Sequence, residues 1–168
     1  MKRFDSERMF NLATSFFMAG ERCAPDLEFG AYGIHSVSAP RIVLYSLAVE
    51  IALKLILQIH DAEIDRKHNL RELFDRVPAK SRERLARLDS CIDEISSYFV
   101  NWRYSYEHEQ LFGEFDNSRR AFIECYREIR RLNPALVSVY EQNWGGFEPD
   151  WDYAWPELEI AQIEARLK

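Results

Sequence analysis

The chain predicts an all-α fold, a helical bundle of four to five long helices with short extra helices and an aromatic C-terminal tail. Three observations carry this. Apolar residues recur three and four positions apart over several long stretches, the pattern of a helix with one buried face. Glycines number only 6, most of them in the pairs Gly30/Gly33 and Gly145/Gly146, so strong turns are few. No two alternating runs are joined by a hairpin turn.

In order along the chain, Phe10, Ala13, Phe16, Phe17 and Gly20 follow the caps Asp5 and Ser6 and predict a first helix over residues 5–22. A loop then runs to Pro40, whose missing N–H suits the first turn of a second helix. Ile42 to His60 is apolar on nearly every face and belongs in the middle of the bundle. Polar residues 61–68 connect it to a short helix, Asn69 to Val77, which Pro78 stops. Ser81 is placed to cap a third long helix whose face carries Leu85, Leu88, Cys91, Ile92, Ile95, Tyr98 and Phe99. Asp116 to Leu132 repeats the pattern, and Asn133-Pro134 interrupts it before Val137 and Tyr140. Residues 1–143 thus form the bundle. Residues 144–168, with Trp144, Trp151 and Trp155, form a tail expected to dock on it as part of the same domain.

A chain of 168 residues sustains one core, and a hydrophobic fraction of 47% removes it from the disordered class. Met1 to Glu7 sets acid directly after base with no apolar run, so no secretory leader is expected and the location is read as cytoplasmic. The apolar run Ile42 to Ile59 carries Glu50 and Lys54 at its centre, each costing about 3 kcal/mol in a bilayer, and is read as a buried helix with no membrane contact. Cys23, Cys91 and Cys125 are isolated and odd in number, which fits buried thiols in a reducing compartment. The net charge of −6 is uneven: residues 66–87 hold eight Lys/Arg against three Asp/Glu, and residues 141–168 hold two against seven. The basic stripe Arg66, Lys67, Arg71, Lys80, Arg82, Arg84 and Arg87 is a solvated helix face or an RNA-backbone footprint.

Spacing excludes several chemistries. His35, His60, His68 and His108 form no metal-binding pair, and neither a phosphate-cradling glycine loop nor a serine-hydrolase elbow is present, so no metal and no cofactor are expected. What remains is polar chemistry in apolar surroundings. Glu50 and Lys54 lie one turn apart in the central helix, and Asn101 to His108 follows the third helix. A buried charge needs a partner, and Arg103 is the expected one for Glu50. His68 reads as a cap or packing element, and Trp102, Tyr104 and Tyr106 as core.

Three segments, Ser46 to Lys54, His68 to Phe74 and Trp102 to His108, stand in that order over residues 46–108. On these the chain resembles the HEPN superfamily (higher eukaryotes and prokaryotes nucleotide-binding). The resemblance implies a HEPN-like bundle and, for many members, a metal-independent RNase of a toxin, phage-defence or stress system. Such RNases act as dimers that pool two copies of an Arg, four to six residues, His motif. Arg103 and His108, separated by four residues, match it. In that scheme His108 serves as acid or base at the ribose 2′-hydroxyl or the leaving oxygen, and Arg103 neutralises the pentavalent phosphate. Glu50, Lys54, Tyr104 and Glu107 support the site. Residues 103 and 108 point about 140° apart on an ideal helix, so a shared phosphate calls for a helix break or a two-fold axis. Active members carry Asn, Asp or His directly after the arginine, where Tyr104 stands here. The Trp-Arg-Tyr-x-Tyr-Glu wording resembles a subset in which the arginine is structural, paired with Glu107 along one helical face. Two readings therefore stand: a homodimeric RNase with an RNA substrate and an antitoxin, and a non-catalytic module that binds a nucleotide, RNA or a partner protein such as a nucleotidyltransferase. A plain dimeric scaffold is the third.

Overall fold

A computed structural model describes residues 4–23, 27–28, 34–35, 38–64, 68–101 and 115–141. The tail expected over residues 144–168, with its three tryptophans, lies outside the described residues, as do Arg66, Lys67 and the whole Trp102 to His108 segment. Within them the protein is a helical bundle. The helices are α1 (Ser6–Arg22), α2 (Ser38–Ile59), α3 (Leu70–Asp75), α4 (Ala79–Arg84), α5 (Ile92–Asn101), α6 (Phe115–Leu132) and α7 (Pro134–Glu141).

α1 begins where expected. The Asp5 carboxylate accepts from the backbone N–H groups of Glu7 and Arg8, satisfying donors that the helix itself cannot. The buried face of α1, Phe10, Ala13, Thr14, Phe17 and Gly20, lies on α2. Between them the expectation of a plain loop is corrected: β1 (Leu27–Glu28) and β2 (Ile34–His35) pair antiparallel, Leu27 opposite His35 and Glu28 opposite Ile34. Two residues a strand are too short for an alternating pattern to register.

α2 is the centre of the bundle, and α1, α3, α5 and α6 all pack on it. Tyr45, Val49, Leu53, Ile56 and Leu57 are fully buried. By length and composition Pro40–Ile59 is apolar enough to cross a membrane, and 67% of that window is buried inside the bundle. The helix stops at a Schellman motif: the Ala62 N–H reaches the Leu57 carbonyl and the Asp61 N–H that of Gln58, with Asp61 at φ 57°. The core is tied across α1, α2 and α6 by aromatic contacts, with Phe17 stacked on Phe122 at 4.5 Å and tilted against Tyr45 at 5.5 Å.

The expected third long helix is three pieces. α4 ends at Arg84, a 3₁₀ turn covers Ala86–Leu88, and α5 restarts at Ile92. Ser81 does not cap it. It lies inside α4, fully buried, and its hydroxyl donates to Glu128 of α6 at 2.5 Å. Having given its one hydrogen, the Ser81 oxygen accepts from His60 Nε2 at 2.8 Å. Arg131 closes the group with two bonds to the Glu128 carboxylate at 2.6 and 2.8 Å. Burial works against the charge of Glu128, yet the bonds from Arg131 and Ser81 hold its carboxyl below the ordinary range. Asn133-Pro134 separates α6 from α7 as the sequence indicates.

Cys91 and Cys125 are buried, as read from the sequence, and Cys23 is half-buried. Burial, with the charge of Glu94 adding to it, pushes the Cys91 thiol up to about 12, and burial raises Cys125 further. Both are therefore inert thiols.

Candidate functional site

Glu50 and Lys54 sit one helical turn apart on α2, and their side chains meet, Lys54 Nζ donating to Glu50 Oε1 at 2.8 Å. The same oxygen accepts from His68 Nδ1 at 2.9 Å. An ionised carboxylate only accepts, so the Nδ1–H of the ring donates. The exposures are graded. The Glu50 side chain is 8% exposed, Lys54 13% and His68 65%, so a nearly buried carboxylate holds a ring that faces outward. Among the described residues, then, Glu50 finds its partners in Lys54 and His68, and the expected partner Arg103 lies outside them.

His68 is not the cap of the short helix. Asn69 takes that role, its side chain accepting from the Glu72 N–H, and His68 is freed to turn back toward α2. The Leu70 N–H, a further orphan of the first turn, is met by Ser96 Oγ of α5 at 3.1 Å. α3 and α5 are joined again at Arg71, whose guanidinium bonds Asp93 with two nitrogens and Asp89 through both its carboxylate and its carbonyl. These contacts step from Asp93 beside Arg71 to Ser96 beside Leu70. α5 therefore runs toward the start of α3, where Asn69 and His68 lie, before it ends at Asn101.

Beside the three polar groups is a groove of about 390 Å³ whose other walls are Phe4, Met9, Leu12, Ile51 and Ile64. Phe4 and Leu12 are 43% and 48% exposed, the large apolar side chains most open to solvent among the described residues. Phe4 is held there by Gln58, whose amide donates to the Phe4 carbonyl at 2.8 Å and accepts from its N–H at 2.9 Å. The site thus combines an apolar wall with a cationic and imidazole-bearing rim.

Of the site residues expected from sequence, the structure brings Glu50 and Lys54 together. Arg103, Tyr104, Glu107 and His108 lie outside the described residues. The basic stripe divides. Lys80, Arg82, Arg84 and Arg87 are exposed, whereas Arg71 is taken up by Asp89 and Asp93 as a clamp between α3 and α5. Arg66 and Lys67 are not described. Sequence reasoning missed His68 as a partner of Glu50 and missed Gln58, Phe4, Met9 and Leu12. Gln58 left a signal, since it is a polar side chain inside an otherwise apolar helix and must find a partner there. Among the described residues no group of His, Cys, Asp or Glu is placed to hold a metal ion.

A family model of the HEPN domain matches residues 42–135, from α2 into the start of α7 and so more than half of the chain. No curated protein and no solved structure matches. The match takes in the paired Glu50 and Lys54, the His68 to Phe74 segment and the Arg103 to His108 spacing, on a helical bundle: the chain belongs to the HEPN domain family.

Proposed function

We propose that the chain is a metal-independent endoribonuclease of a toxin, phage-defence or stress system, acting as a cytoplasmic homodimer through Arg103 and His108. The observation that carries this is the course of α5. Its bonds to Arg71 and then Leu70 direct it toward the start of α3, and it leads by two residues into Arg103. The motif therefore follows a helix aimed at the end of the bundle where Glu50, Lys54 and His68 meet. A second support is that Glu50 has its charge met by Lys54 and His68. In this reading Arg103 acts on phosphate and not on the buried carboxylate.

In this reading Arg103 neutralises charge on the pentavalent phosphate, while His108 exchanges a proton with the ribose 2′-hydroxyl or the leaving 5′ oxygen. Lys54 adds positive charge to the rim. A two-fold axis close to residues 101–108 lets the two copies serve one phosphate, and an antitoxin would act by covering that cleft. The experiment is cleavage of a single-stranded RNA in EDTA by the wild type and by His108→Ala, with molar mass measured in solution. A dimer is expected, with 2′,3′-cyclic phosphate ends from the wild type and none from a fully folded variant. A wild type that never cuts RNA refutes the RNase reading. It leaves the non-catalytic module, binding a nucleotide, RNA or a nucleotidyltransferase, as the function.

A further inference from the structure

A second groove, of about 650 Å³, lies where the end of α3 meets α4 and the 3₁₀ turn, and it shares no lining residue with the groove beside Glu50. Phe74, Ala79 and Ala86 make its walls partly apolar, and three carboxylates and two cations line the rest. These charges are not equally engaged. Arg71 takes up two of the carboxylates, bonding Asp89 and lying 3.5 Å from Asp75. Arg82 donates to the Asp75 carbonyl at 3.0 Å, which ties α4 to the end of α3 and holds two walls of the groove together. Lys80 and Glu83 remain. Both are exposed, and among the described residues neither the Lys80 ammonium nor the Glu83 carboxylate has a hydrogen bond or an ion pair. They lie three apart on α4, a spacing at which opposite charges can meet, yet each stays open to a ligand. Glu83 is also the lone carboxylate among Lys80, Arg82, Arg84 and Arg87. On a face that meets phosphates an unpaired carboxylate weakens binding, unless it turns to the part of the strand that carries hydrogen-bond donors, the base edges.

From this groove we infer a base-reading subsite for guanine in single-stranded RNA, with Glu83 as the reader and Lys80 on the adjoining phosphate. The inference rests on the reading of the chain as an RNase and adds to it a preference for where along a strand the protein sits. Guanine sets N1–H and N2–H side by side, and the two oxygens of one carboxylate accept both. Uracil turns two carbonyl oxygens toward the same group and is repelled. Adenine and cytosine offer one amino group beside a bare ring nitrogen. The ribose hydroxyl is a donor at every nucleotide and so discriminates nothing. Phe74, Ala79 and Ala86 give the flat face of the base apolar surface on which to leave water. An arginine of a partner protein would also suit Glu83, but the four cations around it repel a basic segment and attract a polyanion, which favours RNA.

The test is binding of short labelled U-tract RNAs whose central base is guanine, inosine, adenine or uracil, read by fluorescence anisotropy at about 50 mM salt, for wild type, Glu83→Gln and Lys80→Gln. Melting temperatures near the wild-type value check that both variants fold. Wild type should hold the guanine strand about 5- to 100-fold more tightly than the all-uracil strand. Inosine, which lacks the N2 amino group, should lose most of that preference. Glu83→Gln should lose the preference while binding the all-uracil strand no more weakly than wild type, because it removes a negative charge from a face that meets phosphate. A carboxylate with a merely structural role would weaken both strands alike. Lys80→Gln should weaken both and keep their ratio. Wild type that binds RNA without preferring guanine, or a preference that Glu83→Gln retains, overturns the inference and leaves the RNase reading to the EDTA assay. Wild type that binds no RNA but takes up an arginine-rich peptide, lost in Glu83→Gln, overturns it by giving the groove to a protein partner. Wild type that neither binds nor cuts RNA removes both readings.

Discussion

Gly20 shows what a single hydrogen in place of a methyl group does for this bundle. A Cβ built there would lie 2.5 Å from Tyr45 Cε1 and 2.7 Å from Cδ1, so α1 and α2 approach closely because position 20 has no side chain. The ring cannot swing aside. Its hydroxyl donates to Glu21 at 2.5 Å and accepts from Arg41 at 3.2 Å, and Arg119 joins the same Glu21 carboxylate from α6. Burial and the bond to Glu21 push the Tyr45 phenol up, so it stays a neutral donor. Gly20→Ala gains about 1 kcal/mol of helix propensity and loses about 1–3 kcal/mol to overpacking. The expected result is a net loss and a melting temperature lower by a few degrees. An unchanged or higher melting temperature would show that Tyr45 yields. At this scale the sequence was legible where partners are near: Glu50 and Lys54 were read as lying one turn apart in the central helix, although the partner expected for Glu50 was Arg103 and the bond is to Lys54. Glu21 and Arg119 are 98 positions apart, and no local spacing announces them.

Helix existence was easier to read than helix continuity, and the stretch from residue 79 to 101 shows why. Leu85, Leu88, Cys91, Ile92 and Ile95 are all buried, so the apolar face is continuous although the helix is not. The break has no glycine or proline to mark it. It arises where the Asp89 carbonyl is accepting from Arg71 of α3, while the N–H groups of Leu88, Asp89 and Cys91 reach back three residues instead of four. A tertiary contact thus competes with the local ladder, and only the folded chain contains that contact. Ser81 was misread for the same reason, because its partner Glu128 comes from α6, 47 residues on. That link makes α4 and α6 sensitive to acid. The Glu128 carboxyl is held below its ordinary value of 4.5, so its contribution to stability is complete above that pH and is lost as pH falls through its lowered value. Glu128→Gln should be about 1–3 kcal/mol less stable than the wild type near pH 7. The difference should shrink toward pH 3 in paired denaturation curves. A difference that does not change with pH would assign the loss to packing.

At the scale of the whole molecule the difficulty for an RNA-binding reading is the net charge of −6, which repels a polyanion unless the charges are segregated. They are segregated. Residues 79–87 carry Lys80, Arg82, Arg84 and Arg87 against Glu83 alone, and all four cations are exposed. Arg71 does not join them, because Asp89 and Asp93 hold it. Among the described residues α4 and the 3₁₀ turn after it thus hold a run of four exposed cations against one carboxylate, next to the α3 and α5 pair that leads toward Glu50 and His68. Counterion release sets the expected behaviour: with four phosphate contacts on a single strand, log K should fall with log salt at a slope of about −3. Replacing Lys80, Arg82, Arg84 and Arg87 by Gln should flatten that slope and weaken binding of every sequence about equally, since backbone contacts carry no base information. Arg71→Gln should leave the slope near the wild-type value and lower the melting temperature, because its fork binds α3 to α5. Fluorescence anisotropy of a labelled single strand between about 50 and 200 mM salt reads both effects. Binding that ignores salt, or no binding by the wild type, would mean that this face meets a protein and that the bundle is a partner module.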